Sequence, residues 1–126
     1  MMKFVLVIAG ILAGLSVVLG AFAAHGLKNH LDENWLNAFQ TGVHYQMLHA
    51  LALILICLLA RTLPHSMWNW SAGFMMAGIL CFSGSLYALA LTGIKWFGPI
   101  TPLGGLFFIV GWVLFTIAAA QSFDCA

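Results

Sequence analysis

Charged residues are nearly absent from this chain, and their scarcity is its most informative property. Lys, Arg, Asp and Glu make up 6% of the 126 residues, whereas soluble domains carry about 25%. The seven charges separate four uncharged stretches, which are residues 4–27, 34–60, 62–94 and 96–123. Each stretch is longer than the roughly 20 apolar residues needed to cross a bilayer. With a net charge of +1, no basic surface for nucleic acid is expected.

Sequence motifs typical of catalytic and metal sites are also missing. The three cysteines show no CxxC spacing, so neither a disulfide framework nor a thiolate metal site is expected. No nucleophile elbow, phosphate-binding loop or zinc-protease motif occurs. A carboxylate proton relay across the membrane is not expected either, because all three Asp and Glu residues lie outside the stretches long enough to cross it. The sequence gives no positive support for an enzyme, a metal or a cofactor.

The long apolar runs predict an all-α integral membrane protein whose four transmembrane helices form an up-down bundle. Residues 1–126 are expected to be one membrane domain, with spans at about residues 4–24, 38–60, 70–92 and 102–121. Between the first two spans, Leu27, Leu31 and Trp35 recur every fourth residue among polar side chains. This spacing predicts a short amphipathic helix lying in the membrane interface.

Local signals predict where several helices begin and end. Asp32 is a candidate N-cap for the second span, because its carboxylate can accept from free backbone N–H groups. Gly93 can end the third span as a residue with positive φ. Thr101 followed by Pro102 predicts the start of the fourth span, as an N-cap with proline in the first helical position.

The first span carries small residues on one face. Gly10 and Gly14 form a GxxxG pair, and Gly20 extends the series, so we predict that this face packs closely against another helix. The apolar run of residues 4–24 follows Lys3 and resembles a signal peptide. Because signal-peptide cores usually have about 7–15 residues, we expect this longer run to be retained as a span.

The centre of the second span is unusually polar for a membrane helix. Its polar residues are Gln40, Thr41, His44, Tyr45, Gln46 and His49. Hydrocarbon supplies no hydrogen-bond partners, so buried groups of this kind must pair within the protein. The third span carries hydroxyl groups at Ser83, Ser85 and Tyr87 that provide such partners.

Three interpretations of this polar region are open. It can be a set of structural hydrogen bonds between helices, or a binding or conduction site for a small polar or amphipathic molecule. It can also be a haem or redox-metal site that uses His25, His44 or His49. His44 and His49 are five residues apart, so they do not share a helix face as an i, i+4 metal pair does.

Four sequence blocks in order carry a resemblance to a known family. They are Gly20-Ala-Phe-Ala-Ala-His-Gly-Leu27, Tyr45-Gln46 with His49-Ala-Leu-Ala-Leu53, Phe82-Ser-Gly-Ser-Leu-Tyr87 with Thr92-Gly93, and Ile100-Thr-Pro-Leu-Gly-Gly105 with Gly111-Trp112. Together they resemble the domain of unknown function 423 family, also called transmembrane protein 256-like, and cover nearly the whole chain. Ala23 and Gly42 depart from its pattern, which has glycine and alanine there.

The resemblance implies a four-helix protein of the bacterial plasma membrane with no assigned activity. The candidate ligand-binding or polar-cluster residues are His25, Tyr45, Gln46, His49, Ser85, Tyr87 and Thr101. We expect a non-enzymatic bundle in contact with membrane lipid that self-associates as a homo-oligomer and holds a small or lipid-like ligand. The alternatives are an oligomeric small-solute transporter or channel, and a haem- or quinone-binding redox component.

The orientation in the membrane is not decided by charge. Lys3 and Arg61 lie on one side, and Lys28 and Lys95 lie on the other, so the positive-inside rule is tied. Both termini are on the same side, and a cytoplasmic location is the default expectation. Insertion in both orientations is the other reading of the tie.

Overall fold

A computed structural model, which describes residues 2–123, consists almost entirely of four long helices. They are span 1 (Met2–Leu27), span 2 (Glu33–Thr62), span 3 (Ser66–Thr92) and span 4 (Lys95–Phe123). Span 4 opens with a 3₁₀ turn at Lys95–Phe97 and continues as an α-helix from Ile100 to Phe123. All four are long and apolar enough to cross a membrane. The predicted all-α, four-span fold is confirmed.

Spans 2 and 3 are the two middle helices of the bundle. Spans 2 and 3 pack against each other, span 1 packs along span 2, and span 4 packs mainly against span 3. The main core includes Leu53, Ile56, Trp68, Met75 and Phe108. Large apolar side chains on the outer surfaces are exposed, as Phe4 and Leu80 are, which suits contact with lipid.

The predicted N-cap of span 2 and the predicted glycine at the end of span 3 are confirmed. The Asp32 carboxylate accepts a hydrogen bond from the Trp35 backbone N–H at 2.9 Å, so it caps span 2. Gly93 has φ of 69°, and its N–H donates to the Leu89 carbonyl at 2.8 Å. A side chain at that φ would be strained, which is why glycine ends span 3.

The predicted start of span 4 is wrong by a short distance. The α-helix already begins at Ile100, and the Thr101 hydroxyl pairs with Ser85 instead of capping the helix. Pro102 then lies in the first turn, where a missing N–H removes no intrahelical hydrogen bond.

The short interfacial helix expected between spans 1 and 2 is not a separate element. Ala23–Leu27 continue span 1 as a π-helical turn, residues 28–32 form a turn, and Trp35 belongs to span 2. Leu27 is buried in a small cluster with Phe39 and Ala90. The apolar side chains of this segment are therefore partly buried inside the bundle and do not require a separate helix on the membrane surface to bury them.

Span 3 changes from α-helix to π-helix at its centre, over Ile79–Ser83. Glycines of two neighbouring helices meet this segment. A Cβ at Gly104 of span 4 would overlap the backbone of Phe82, and one at Gly42 of span 2 would lie 2.8 Å from Cε1 of Tyr87 and 3.3 Å from the Ser83 carbonyl oxygen. Spans 2 and 4 therefore both approach span 3 closely at the π-helical segment.

The small-residue face predicted on span 1 is only partly in contact within the chain. A Cβ at Gly20 would lie 3.4 Å from Cγ1 of Val43 in span 2. Nothing lies within 4 Å of the corresponding position at Gly10 or Gly14. Close packing of that part of the face against another helix stays a prediction.

Candidate functional site

Gln46 links three helices through both ends of its amide. Its Nε2 donates to the Leu12 carbonyl of span 1 at 2.8 Å, and its Oε1 accepts from the Tyr87 hydroxyl of span 3 at 2.6 Å. The Gln46 residue is 3% exposed. Because a buried amide without partners is costly in hydrocarbon, these two bonds hold Gln46 as a structural bridge between spans 1, 2 and 3.

Serine hydroxyls make further bonds between the helices. Ser83 donates to the Gly42 carbonyl and Ser71 to the Gly111 carbonyl, each at 2.7 Å. Ser85 and Thr101 share a hydrogen bond of 2.5 Å between their hydroxyls. Spans 2, 3 and 4 are therefore joined by side-chain hydrogen bonds as well as by packing.

His49 of span 2 uses both ring nitrogens within the protein. Its Nε2 lies 3.1 Å from Nε1 of Trp112, and its Nδ1 lies 2.8 Å from the Tyr45 carbonyl oxygen. An indole N–H can only donate and a carbonyl can only accept. We therefore assign His49 as the neutral tautomer that carries its proton on Nδ1. A metal at Nε2 would have to displace the Trp112 hydrogen bond.

Aromatic rings fix the plane of the His49 imidazole. The ring stacks on Phe108 of span 4, with centroids 3.6 Å apart and an interplanar angle of 10°. Phe82 of span 3 and Tyr45 pack edge to face, with centroids 4.8 Å apart. Spans 2, 3 and 4 each contribute a ring to this cluster, which holds the His49 side chain in place.

Tyr45 differs from Gln46 and His49, the buried polar side chains beside it on span 2. It is 39% exposed, and its hydroxyl makes no hydrogen bond to any residue between 2 and 123. Span 2 is about 45 Å long at 1.5 Å per residue, and Tyr45 lies only about 4 Å from its midpoint. An unpaired phenol hydroxyl is thus carried at membrane depth.

A lateral groove lies beside Tyr45, between spans 2 and 4. Its volume is about 380 Å³, within the usual range for sites of small molecules. The lining residues are Tyr45, Leu48, His49, Phe82, Gly105, Phe108, Ile109 and Trp112. Tyr45, Leu48 and Ile109 are exposed, so the groove opens sideways towards lipid. Gly105 leaves space in its wall.

The candidate residues from the sequence form separate groups. Gln46 bonds Tyr87, Ser85 bonds Thr101, and Tyr45 lies beside His49 at the groove. His25 is exposed at the end of span 1, away from these groups.

The structure confirms the predicted separation of His44 from His49 and adds Trp112 to the site. His44 lies on the exposed outer face of span 2, so it does not join His49 at one ligand. Trp112 was missed as a site residue, although tryptophan near the middle of a span is itself a signal. Its indole N–H needs an acceptor there, and in this chain the acceptor is His49.

Four lipid-facing helices joined by internal hydrogen bonds define a multi-pass helical membrane protein. The family model described as "Protein of unknown function (DUF423)" matches residues 19–105. The chain belongs to this family, as the resemblance of its motifs implied.

Bacterial relatives match over nearly the full length. The UPF0382 membrane protein YwdK of Bacillus subtilis (strain 168) is 45% identical over 95% of this chain and 98% of its own. The UPF0382 membrane protein SAB0533 of Staphylococcus aureus (strain bovine RF122 / ET3-1) is 42% identical over 93% of this chain and 95% of its own. No solved structure matches significantly. The relatives' names thus agree with a membrane protein and state no activity.

Proposed function

We propose that this non-enzymatic membrane bundle holds a small lipid-soluble ligand in the lateral groove between spans 2 and 4. The observation that carries the proposal is Tyr45, an exposed residue that lines the groove and whose hydroxyl has no partner among the described residues. Hydrocarbon cannot satisfy this hydroxyl. A ligand with one polar atom placed beside Tyr45 can.

The chemistry of the groove favours an amphipathic, mostly apolar ligand. Both nitrogens of His49 are already paired, so Tyr45 is the side chain with hydrogen-bonding capacity to spare. The flat faces of Phe108 and His49 and the space beside Gly105 suit a ring or a slender chain. The lateral opening lets such a molecule enter from the bilayer.

The test is to fill the groove and measure what the protein retains. Gly105→Leu adds a side chain to the groove wall, whereas Gly84→Leu adds the same atoms where nothing lies within 4 Å. After purification from its own membrane, we expect mass spectrometry of organic extracts to find a molecule enriched with the wild type and with Gly84→Leu. The Gly105→Leu variant should lose it. Equal recovery from all three, or no enriched molecule, would contradict the proposal.

The bundle is also proposed to work as a homo-oligomer. Gln40 and His44 face outwards from span 2 and make no hydrogen bond within residues 2–123. Polar side chains in membrane helices usually find partners on a neighbouring helix. A neighbouring subunit supplies such partners where lipid does not.

We place the protein in the bacterial plasma membrane with both termini in the cytoplasm. The bacterial relatives are named membrane proteins, and an even number of spans brings both termini to one side. Reporter fusions to the C-terminus should be active in a cytoplasmic form only. Activity of a periplasmic or external reporter instead, or of both kinds, would overturn this orientation.

A further inference from the structure

The outer face of span 2 carries a row of residues with the spacing of a coiled-coil seam. The row consists of exposed residues that follow one another at alternating spacings of four and three: Asn37, Thr41, His44, Leu48, Leu51, Leu55 and Leu58. These spacings are those of the a and d positions of a heptad repeat. Every lipid-facing helix exposes some such row, and the residues that fill it decide whether it suits lipid or another helix.

The row, called the span 2 seam below, differs from an ordinary lipid-facing surface in its polar half. Its second half is leucine at four successive positions, a residue that packs against lipid tails as well as against another helix. Its first half is polar. By contrast, the exposed row of span 1 at Val7, Ile11, Leu15 and Val18 is entirely apolar.

Among the seam residues, His44 is the one that most needs a hydrogen-bond partner that lipid cannot provide. It lies about 5 Å along the helix from the midpoint of span 2, and within the described part of the chain its imidazole has no hydrogen-bond partner. Thr41 differs, because its hydroxyl donates to the Asn37 carbonyl of its own helix at 2.8 Å. A partner for His44 therefore has to come from outside this bundle.

We propose that a second copy of this chain docks on the span 2 seam, with the two spans 2 parallel and related by a twofold axis along the membrane normal. This arrangement places His44 opposite His44 of the second copy. A neutral imidazole carries one donor and one acceptor, so two of them can pair. The leucines of the two copies pack at matching depths, and the His44 pair next to them fixes the register.

The seam also borders the ligand groove. Leu48 belongs to the seam and lines the groove, and Tyr45 follows His44 directly. The second copy would therefore lie beside the mouth of the groove and form part of its outer rim. The inference rests on the self-association in the proposed function and names the surface that carries it.

Cysteine cross-linking in native membranes tests the seam. In a background of Cys57→Ala, Cys81→Ala and Cys125→Ala, single cysteines replace the seam residues Thr41, His44, Leu48, Leu51 and Leu55. The depth-matched controls are cysteines at Gly14, Leu80 and Ile109, one exposed position near the middle of each other span. All these side chains are exposed, so folding should be kept, and thermal unfolding in detergent checks it.

The parallel seam predicts disulfide-linked dimers at every seam position, several-fold above the yield at the controls, after treatment with an oxidant that enters the bilayer. Strong cross-linking at Leu48 alone would indicate antiparallel copies and overturn the parallel arrangement. Cross-linking mainly at Gly14, Leu80 or Ile109 would overturn the seam but leave self-association standing. No cross-link anywhere would overturn both, while ligand retention in the Gly105→Leu comparison is judged separately.

Discussion

The two tyrosines of the chain have opposite hydrogen-bonding states. Tyr87 donates to Gln46 inside the bundle, whereas the Tyr45 hydroxyl is unpaired within the described residues and beside the groove. In hydrocarbon a hydroxyl that is paired contributes to stability, and one that is not paired remains available to another molecule. Tyr87 is thus a structural residue and Tyr45 is the candidate ligand contact.

Removing the two hydroxyls one at a time should separate stability from binding. Tyr87→Phe deletes the hydrogen bond to Gln46 and should lower the free energy of unfolding by about 0.6–1.7 kcal/mol, the range for such bonds in membrane helices. Tyr45→Phe should leave the free energy of unfolding nearly unchanged but reduce ligand retention. Unfolding in mixed micelles measures the first effect. Equal destabilisation by both substitutions would contradict the assignment.

At the scale of single residues, the sequence predicted polar side chains that need partners but not which partners they find. Spans 2 and 3 were expected to bond each other, and Gln46 with Tyr87 does so. The partner of His49 is instead Trp112 of span 4. That pairing depends on how spans 2 and 4 come together across the bundle, which periodicity along a single helix does not encode.

Among the helices, span 3 is the element that departs most from a regular rod. Its π-helical segment Ile79–Ser83 contacts Gly104 of span 4 and lies beside Gly42 of span 2. Such segments occur often at functional sites, and Phe82 within this one lines the groove. Close approach at Gly104 therefore sets the position of span 4 and, with it, one wall of the groove.

Two adjacent glycines allow a matched test of this approach. A methyl group at Gly104 would overlap the Phe82 backbone, whereas at Gly105 it would lie 3.9 Å from Cδ2 of Phe82. Gly104→Ala should destabilise the protein by about 1–3 kcal/mol, the usual cost of overpacking. Gly105→Ala should be neutral or slightly stabilising, because alanine favours helix. Similar thermal unfolding of the two variants would show that Gly104 does not hold span 4 close.

The number and type of helices, and the Asp32 and Gly93 ends, could be predicted from local sequence because each depends on residues close in the chain. The π-helical segment could not, since no residue type in Ile79–Ser83 marks it. The interfacial helix was predicted from an amphipathic pattern around Leu27. That residue instead packs beside Phe39, which is a tertiary contact that the pattern does not contain.

In the whole molecule, the outer helices and the centre have different roles. Span 1 contacts mainly span 2 and leaves Gly10 and Gly14 open. Buried polar groups are almost all paired: among residues 2–123, Ser122 Oγ is the one buried side-chain polar atom without a partner. Gln40, His44 and Tyr45, by contrast, are exposed on the outer surface of span 2 near its middle and make no side-chain hydrogen bond within residues 2–123. The polar groups inside the bundle are therefore almost all hydrogen-bonded, whereas span 2 offers unpaired polar groups to partners on its outer surface.

Native mass spectrometry of the wild-type protein released from its own membrane tests this account most directly, because it reports subunit number and bound molecules together. We predict an even number of subunits carrying a low-mass, lipid-soluble molecule, and the same assembly without that molecule for Gly105→Leu. A bare monomer under every gentle release condition would contradict both the assembly and the ligand groove.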